Sequence, residues 1–236
     1  AAYPSSFAEF LVDGQHTQHV DKRLHEVATL RACLFTLHKS TLQHLSIRVN
    51  EVLLQKNADD QIASGPLLLS KDTAIITINN PAANTWDAEN LTALRDRVVE
   101  LNANDEIYSL VITGQGEKFF SAGADLKMFA SGDKQVARDL AEKFGAAFEA
   151  LANFRGVSIA AINGYAMGGG LECAMACDIR IAETQAVMAL PEATVGLLPA
   201  GLGTQHLAWL VGEGWAKRMI LCGERVDAAT AERIGL

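Results

Sequence analysis

The sequence has few of the features that mark fibrous, disordered or membrane-spanning proteins. Only 5 of its 236 residues are proline, against 19 glycines, which excludes a collagen-like or proline-rich chain. No apolar run is long enough to cross a bilayer, and the first thirty residues lack the basic-then-apolar order of a secretory signal. Aromatic residues make up 6% of the chain, so its core must consist mainly of alanine, leucine, isoleucine and valine. We expect a cytoplasmic protein with one sizeable core.

Positive charge is also scarce. The chain has 20 lysines and arginines against 28 aspartates and glutamates, which gives a net charge of −8 and a pI near 5.2. This balance argues against non-specific binding of nucleic acid through a basic surface. It leaves room for an anionic ligand, because such binding depends on a few local residues.

Cysteine is rare, and its spacing matches no common zinc motif. The four cysteines are Cys33, Cys173, Cys177 and Cys222. Cys173 and Cys177 lie one helical turn apart, but they have no histidine nearby and their neighbours are alanine and methionine. We interpret them as two small buried residues rather than metal ligands, and the lack of a disulfide framework fits a reducing compartment.

The chain changes character near residues 56–66, and we divide it there into two parts. Residues 1–65 form an N-terminal segment of unknown role, in which residues 20–54 have leucines and valines at mixed three- and four-residue spacings that predict helix in part. Their histidines are irregularly spaced and have no carboxylate cluster, which favours a solvated or packing helix over a metal site. The histidines of this segment are His16, His19, His25, His38 and His44.

Residues 66–236 alternate between strand-like and helical patterns. The strand-like runs are LLLS, TAIITIN, YSLVITG, VSIAAIN and DIRIA. The helical patterns between them are AENLTALRDRVVELNAN, DKQVARDLAEKFGAAFEALANF and LECAMAC. This alternation predicts an α/β domain with a mostly parallel sheet, and the nearly all-apolar VSIAAIN fits a strand covered on both faces.

Two glycine-containing loops could bring a ligand close to the backbone. Residues 121–127, SAGADLK, follow a predicted strand, and such a turn can present an unpaired N–H, although small-residue loops are common. In AINGYAMGGGLE, a buried strand runs through Gly168–Gly170 into a helix, whose N-terminus offers free N–H groups suited to a developing oxyanion. The run is neither a dinucleotide fingerprint nor a P-loop, which argues against a nucleotide-phosphate site.

Two glutamates stand alone in apolar surroundings. Glu172 lies in the first turn of the predicted helix, where it either complements the helix dipole or, with its pKa raised by desolvation, exchanges protons. Glu192, in LPEATVGLLP, is by itself more typical of a solvated loop residue. Two carboxylates from apolar loops can meet in one pocket, but glycosidases also pair carboxylates, so the pair alone does not select a reaction.

Taken in order, these motifs resemble those of the crotonase, or enoyl-CoA hydratase/isomerase, superfamily over about residues 66–236. The strongest matches are AAINGYAMGGGLECAMACDIRIA and LPEATVGLLPAGLGTQHL, supported by FFSAGADLKMF and TAIITINNPAANTW. The resemblance implies a spiral of ββα units, a CoA thioester bound in an extended groove, and no metal or redox cofactor. It also implies a homotrimer or hexamer.

The same resemblance assigns roles to individual residues. The backbone N–H groups of Ala124 and Gly169 match the oxyanion hole, and Glu172 and Glu192 match the acid/base pair of the members that hydrate. Isomerase members commonly keep only the second glutamate, so the resemblance favours a hydratase that adds water to a 2-enoyl-CoA. The substrate-binding positions that it implies are Ala83, near the adenine end of the groove, and Asp125, Leu126 and Lys127.

The sequence departs from the family in three places. Leu202 puts bulk into a turn, residues 199–205, that is usually glycine-rich, which affects the shape expected of the acyl pocket. The chain stops at AERIGL, where members usually continue into C-terminal helices, so we expect a truncated domain. Residues 1–65 match nothing in the family.

Two alternatives stay open at this stage. One is another acyl-CoA enzyme of the crotonase fold, namely an isomerase, a thioester hydrolase or a C–C lyase. The other is a non-catalytic binding or scaffold protein, which the retention of both glutamates disfavours.

Overall fold

The computed structural model describes residues 52–56, 62–64 and 73–236, in which strands and helices alternate. The strands are β1 Val52–Lys56, β2 Ile62–Ser64, β3 Thr73–Asn79, β4 Ser109–Gly114, β5 Phe119–Ser121, β6 Val157–Ile162, β7 Tyr165–Met167, β8 Ile179–Ala182, β9 Val187–Ala189 and β10 Val226–Asp227. The helices are α1 Ala88–Asn102, α2 Lys134–Ala152, α3 Gly169–Met175, α4 Gly203–Cys222 and α5 Ala228–Ile234, and 3₁₀ turns occupy Leu126–Phe129 and Glu192–Val195.

The larger sheet has six strands in the order β2-β1-β3-β4-β6-β8. All its neighbouring pairs are parallel except β1 with β2, which is an antiparallel pair at the edge. Four of the predicted strand runs form β3, β4, β6 and β8, and the fifth, LLLS, lies outside the described residues. The predicted α/β class with a mostly parallel sheet is confirmed.

A second sheet of four short strands, in the order β10-β9-β7-β5, was not predicted from the sequence. Strands β5, β7 and β9 have three residues each, which is too short for an alternating pattern to be recognised. Each follows a strand of the larger sheet and precedes a helix or 3₁₀ turn, so that two strands and a helix repeat along the chain. This repeat is the ββα unit that the family resemblance implied.

The two N-terminal strands precede the boundary predicted near residue 65. Strand β1 pairs with β3 from Val52↔Ile76 to Gln55↔Asn79, and β2 pairs with β1. Most of residues 20–54, the stretch predicted to be partly helical, and all five histidines of residues 1–65 lie outside the described residues. The division of the chain at this point stays a prediction.

Helices α1 and α2 pack against each other, and α2 has two buried phenylalanines. Asp87 and Asp133 cap these helices, since their carboxylates accept hydrogen bonds from backbone N–H groups in the first turn. The buried face of α2 has the three- and four-residue spacing typical of an amphipathic helix. Its members are Leu140, Phe144, Ala147, Phe148 and Leu151.

Helix α4 is interrupted at Gly212, where φ is 74° and ψ is 165°, so it consists of two helical pieces. Glycine adopts this conformation without the strain that a side chain would add. Within the described part of the chain, no helix is long and apolar enough to span a membrane.

Candidate functional site

The two predicted catalytic glutamates each lie in the first turn of a short helical segment. Glu172 lies in the first turn of α3, whose N-cap is Gly168, and Glu192 is the first residue of a 3₁₀ turn. A Cβ atom placed on Gly168 would lie 2.8 Å from Glu192 Oε1, so a side chain there would displace the carboxylate. Gly168 also has a φ of 53°, which disfavours other residues. The glycine run therefore meets the Glu192 carboxylate directly.

The carboxylate of Glu172 is held by the turn that precedes α4. Its Oε1 accepts hydrogen bonds from the N–H groups of Gly201, at 2.8 Å, and Gly203, at 2.9 Å, and the residue is only 3% exposed. Between these glycines Leu202 has a left-handed φ of 74°. A left-handed residue flanked by two such amides forms a concave anion-binding turn, which explains why a strained leucine is tolerated here.

Burial and, to a smaller extent, the negative charge of Glu192 raise the pKa of Glu172 to about 7, against the lowering effect of the two amide hydrogen bonds. Burial also raises the pKa of Glu192 to about 7, against the lowering effect of its own backbone N–H. Glu192 Oε2 is buried and has no hydrogen-bond partner among the described residues. Carboxyl groups with such pKa values are suited to exchange protons near neutral pH.

The two amides predicted to form an oxyanion hole lie on adjacent backbone segments. A Cβ atom on Gly123 would lie 2.6 Å from the Met167 carbonyl oxygen and 3.1 Å from the Gly169 nitrogen. Gly169 is the first residue of α3, so its N–H has no acceptor within the helix. Neither the Gly169 N–H nor the Ala124 N–H donates to another residue in the described ranges. These two N–H groups are thus available to a ligand oxygen.

Of the remaining predicted positions, Asp125, Leu126 and Lys127 directly follow Ala124, and Ala83 lies in the loop after β3. The Ala83 carbonyl accepts a hydrogen bond of 2.9 Å from the Ala122 N–H, which joins the two loops implied to line the CoA groove. Asp125 uses its carboxylate to accept the Lys127 N–H at 3.0 Å, and so caps the 3₁₀ turn. Leu126, 54% exposed, and Lys127 are exposed to solvent.

Sequence reasoning missed two aromatic residues that border the site. Cβ atoms placed on Gly169 and Gly201 would lie 2.7 Å from Phe144 Cε1 and 2.5 Å from Phe148 Cδ2. Phe148 also makes an edge contact with the fully buried Trp86, at 5.9 Å between ring centroids. The helical spacing of the two phenylalanines indicated a buried face, but nothing in the sequence indicated what that face contacts.

The predicted burial of Cys173 and Cys177 is confirmed. Burial raises the pKa values of both thiols, which makes them poor thiolate donors to a metal. Among the residues that the structure describes, no cluster of histidine, cysteine and carboxylate side chains could hold a metal ion.

Comparisons with known proteins agree with this geometry. A model of the family described as enoyl-CoA hydratase/isomerase matches residues 70–236. The chain is 46% identical over 167 residues to a putative enoyl-CoA hydratase/isomerase, YngF, of Bacillus subtilis, covering 69% of this chain and 63% of that protein. It is 39% identical over 177 residues to a short-chain-enoyl-CoA hydratase of Clostridium acetobutylicum, covering 72% of this chain and 66% of that protein.

Comparison with solved structures also finds similarity to an enoyl-CoA hydratase. The structure of DspI from Pseudomonas aeruginosa is 74% identical with a TM-score of 0.68, over 69% of this chain and 67% of that one. An enoyl-CoA hydratase structure from Bacillus anthracis is 35% identical with a TM-score of 0.68, over 70% of this chain and 65% of that one. The chain thus spans about two thirds of the lengths of these relatives. On this evidence the chain belongs to the enoyl-CoA hydratase/isomerase family and has the crotonase fold.

Proposed function

We propose that this chain is an enoyl-CoA hydratase that adds water across the double bond of a 2-enoyl-CoA thioester. One observation carries the proposal: the buried Glu172 and the half-buried Glu192, both with pKa values of about 7, adjoin the glycine turn at Gly168. The Gly169 N–H of this turn and the nearby Ala124 N–H donate to no other described residue. The turn that contains Gly168 contacts the Glu192 carboxylate and leads directly to the Gly169 N–H and to Glu172.

In this proposal the substrate carbonyl accepts hydrogen bonds from the N–H groups of Ala124 and Gly169. Negative charge develops on the thioester oxygen as the β-carbon is attacked, and fixed donors stabilise that charge without reorganising. An oxyanion-hole donor of this kind contributes about 3 kcal/mol to lowering the barrier.

The water molecule is positioned between Glu172 and Glu192. One carboxylate accepts a proton from this water as its oxygen bonds to the β-carbon, and the other carboxyl group delivers a proton to the α-carbon. The unbonded Glu192 Oε2 is available to the water, whereas Glu172 Oε1 is already held by two amides. Because the carboxyl groups interact, their apparent pKa values belong to the pair rather than to either residue.

Two features favour hydration over the other reactions of the family. The chain retains both glutamates, whereas isomerase members commonly keep only the second. Relatives named as hydratases include the short-chain-enoyl-CoA hydratase of Clostridium acetobutylicum and a crotonyl-CoA hydratase of Syntrophomonas wolfei, the latter 37% identical over 173 residues. The CoA moiety enters with the substrate, and we propose no further cofactor.

The test is the loss of the conjugated enone absorbance of crotonyl-CoA with the full 236-residue chain. Glu192→Gln should lower kcat by about 10²–10⁴-fold, because the amide cannot exchange the proton. Glu149→Gln removes an exposed carboxylate on α2 and should leave the rate unchanged. No loss of absorbance over hours at high protein concentration would rule out hydration. Binding of the acyl-CoA without turnover would instead support a non-catalytic member.

A further inference from the structure

Two asparagine side chains donate hydrogen bonds to the same carbonyl oxygen, that of Phe119, close to the backbone segments that contain Ala124 and Gly169. Asn84 Nδ2 donates a hydrogen bond to the Phe119 carbonyl at 2.8 Å, and Asn163 Nδ2 donates to the same oxygen at 3.3 Å. Phe119 begins β5, five residues before Ala124, whereas Asn163 precedes β7, which leads to Gly169. Each asparagine therefore joins a different part of the fold to the start of the strand that leads to Ala124.

Asn84 is built into the loop that follows β3. It is only 4% exposed, has a left-handed φ of 53°, and donates a second side-chain hydrogen bond to the Gln115 carbonyl at 3.0 Å. Its neighbours form a short ladder with the loop of Ala124: Trp86 N–H donates to Gly123, and Asp125 N–H donates to Trp86. The Asn84 side chain therefore holds the loop after β3, and Trp86 of this loop bonds to Gly123 and Asp125 on either side of Ala124.

Asn163, between β6 and β7, also links its loop to neighbouring backbone through side-chain hydrogen bonds. Its Oδ1 accepts the Gly114 N–H at 3.1 Å, and its Nδ2 donates to the Gly116 carbonyl as well as to Phe119. A side chain at the following residue, Gly164, would clash with the Lys118 carbonyl, its Cβ lying 2.3 Å from that oxygen. The two loops are thus packed against each other without space for adjustment.

Strand pairing alone does not fix the relative position of these segments. Strands β5 and β7 pair at Phe119↔Tyr165 and Ser121↔Ala166, with an irregularity of register between the two pairs. A bulge of this kind leaves a residue unpaired and bends its strand, so additional contacts must define the geometry beyond it. The hydrogen bonds of the two asparagines to Phe119 act at the residue where this irregularity begins.

We propose that Asn84 and Asn163 are positioning residues that, through the Phe119 carbonyl, set the separation of the Ala124 and Gly169 N–H groups. This inference rests on the proposed oxyanion hole and adds the residues that hold its two N–H groups in position relative to each other. Neither asparagine contacts the reacting atoms. Misplacement of a donor by about 1 Å lowers a rate by about 10²-fold, which is the scale on which such residues act.

The experiment uses acetoacetyl-CoA, a 3-ketoacyl thioester that ionises to an enolate with its own ultraviolet absorbance. An oxyanion hole stabilises the enolate and lowers the pKa of the bound ligand, which titration of the absorbance measures. Asn84→Gly removes both side-chain hydrogen bonds while allowing the left-handed backbone. It should raise the ligand pKa by about one unit, corresponding to a tenfold weaker preference for the enolate, and lower kcat on crotonyl-CoA more than it changes KM.

Asn163→Asp provides the second variant, because it keeps the acceptor for Gly114 but loses the donors to Phe119 and Gly116. It should shift the ligand pKa in the same direction, and it carries the test if Asn84→Gly does not fold. Asn153→Ala is the matched control: it removes an exposed asparagine side chain whose Nδ2 donates to the Glu149 carbonyl at the end of α2, and it should leave the ligand pKa unchanged.

The outcomes separate this inference from the proposed function. If the unmodified chain binds acetoacetyl-CoA without lowering its pKa, the oxyanion hole itself is wrong. If the unmodified chain lowers the ligand pKa and both folded variants lower it by the same amount as the unmodified chain, the oxyanion hole exists and the positioning role is overturned. A loss of thermal stability with an unchanged ligand pKa would give the asparagines a structural role only.

Discussion

At the scale of single residues, the site depends on where two carboxyl groups are protonated. Glu172 is nearly inaccessible to water, yet its Oε1 accepts two amide hydrogen bonds that favour the ionised form. Desolvation and the charge of Glu192 outweigh these bonds, so the pKa rises from its ordinary value of 4.5 to about 7. The folded chain therefore binds this proton more tightly than the unfolded chain does.

The tighter binding of the Glu172 proton in the folded chain predicts how the free energy of unfolding depends on pH. Between pH 4.5 and about 7 the folded state keeps a proton that the unfolded state has lost, so Glu172 makes the protein less stable as the pH rises through this window. The difference between about pH 5 and pH 8 is on the order of 3 kcal/mol. In Glu172→Gln, which keeps an oxygen to accept the two amides, this contribution should vanish.

The measurement is urea unfolding of the unmodified chain and the variant at both pH values. Titrating groups other than the coupled Glu192 contribute equally to both proteins and cancel in the comparison. Identical pH dependence of the two proteins would show that Glu172 ionises normally in the folded chain.

At the scale of secondary-structure elements, the positions at which helices begin determine the site. Gly168, the N-cap of α3, and Gly203, the first residue of α4, approach the carboxylates more closely than a residue with a side chain could. A Cβ atom on Gly203 would lie 2.7 Å from Glu172 Oε1. Gly203→Ala should therefore push the carboxylate aside, and kcat on crotonyl-CoA should fall by about 10²-fold.

The matched control is Gly145→Ala within α2, where an added Cβ would meet nothing within 4 Å. That change should stabilise the protein by about 0.5–1 kcal/mol, because alanine favours a helix interior over glycine, and should leave kcat unchanged. Steady-state kinetics and thermal melting of both variants test the pair. Normal kcat in Gly203→Ala would mean that the Glu172 carboxylate does not need its present position.

At the scale of the whole molecule, α3 is buried along its full length. Cys173 within this helix and Cys177 just after it report on the integrity of the fold. Cys173 is completely buried and Cys177 is 4% exposed, whereas Cys222, at the end of α4, is exposed. A thiol reagent should modify Cys222 in the native protein and reach the other two only when the core opens.

Peptide mapping by mass spectrometry after timed alkylation tests this expectation. Modification of Cys173 should accelerate with urea in parallel with global unfolding. Modification of Cys173 as rapid as that of Cys222 under native conditions would contradict the described packing of α3. The cytoplasmic location and the homotrimeric or hexameric assembly stay predictions.

Much of the fold and of the site was accessible from the sequence, because local patterns encode it. The apolar runs that form β3, β4, β6 and β8 have the length and composition of buried strands, and the spacing of apolar residues marked α1 and α2. The glycine run before Glu172 indicated close backbone approach, and apolar neighbours indicated a desolvated carboxyl group. The sequence by itself thus determined the α/β class and the candidate residues.

Only the tertiary structure determined which of these residues meet. The contact of Gly203 with Glu172, the packing of Phe144 on Gly169, and the shared bonds of Asn84 and Asn163 to Phe119 join positions 25 or more residues apart. The three-residue strands of the second sheet, among them the strand that contains Phe119, have too few residues for a recognisable pattern. A side chain's pKa likewise depends on neighbours brought in by folding, because desolvation and charge act through space rather than along the chain.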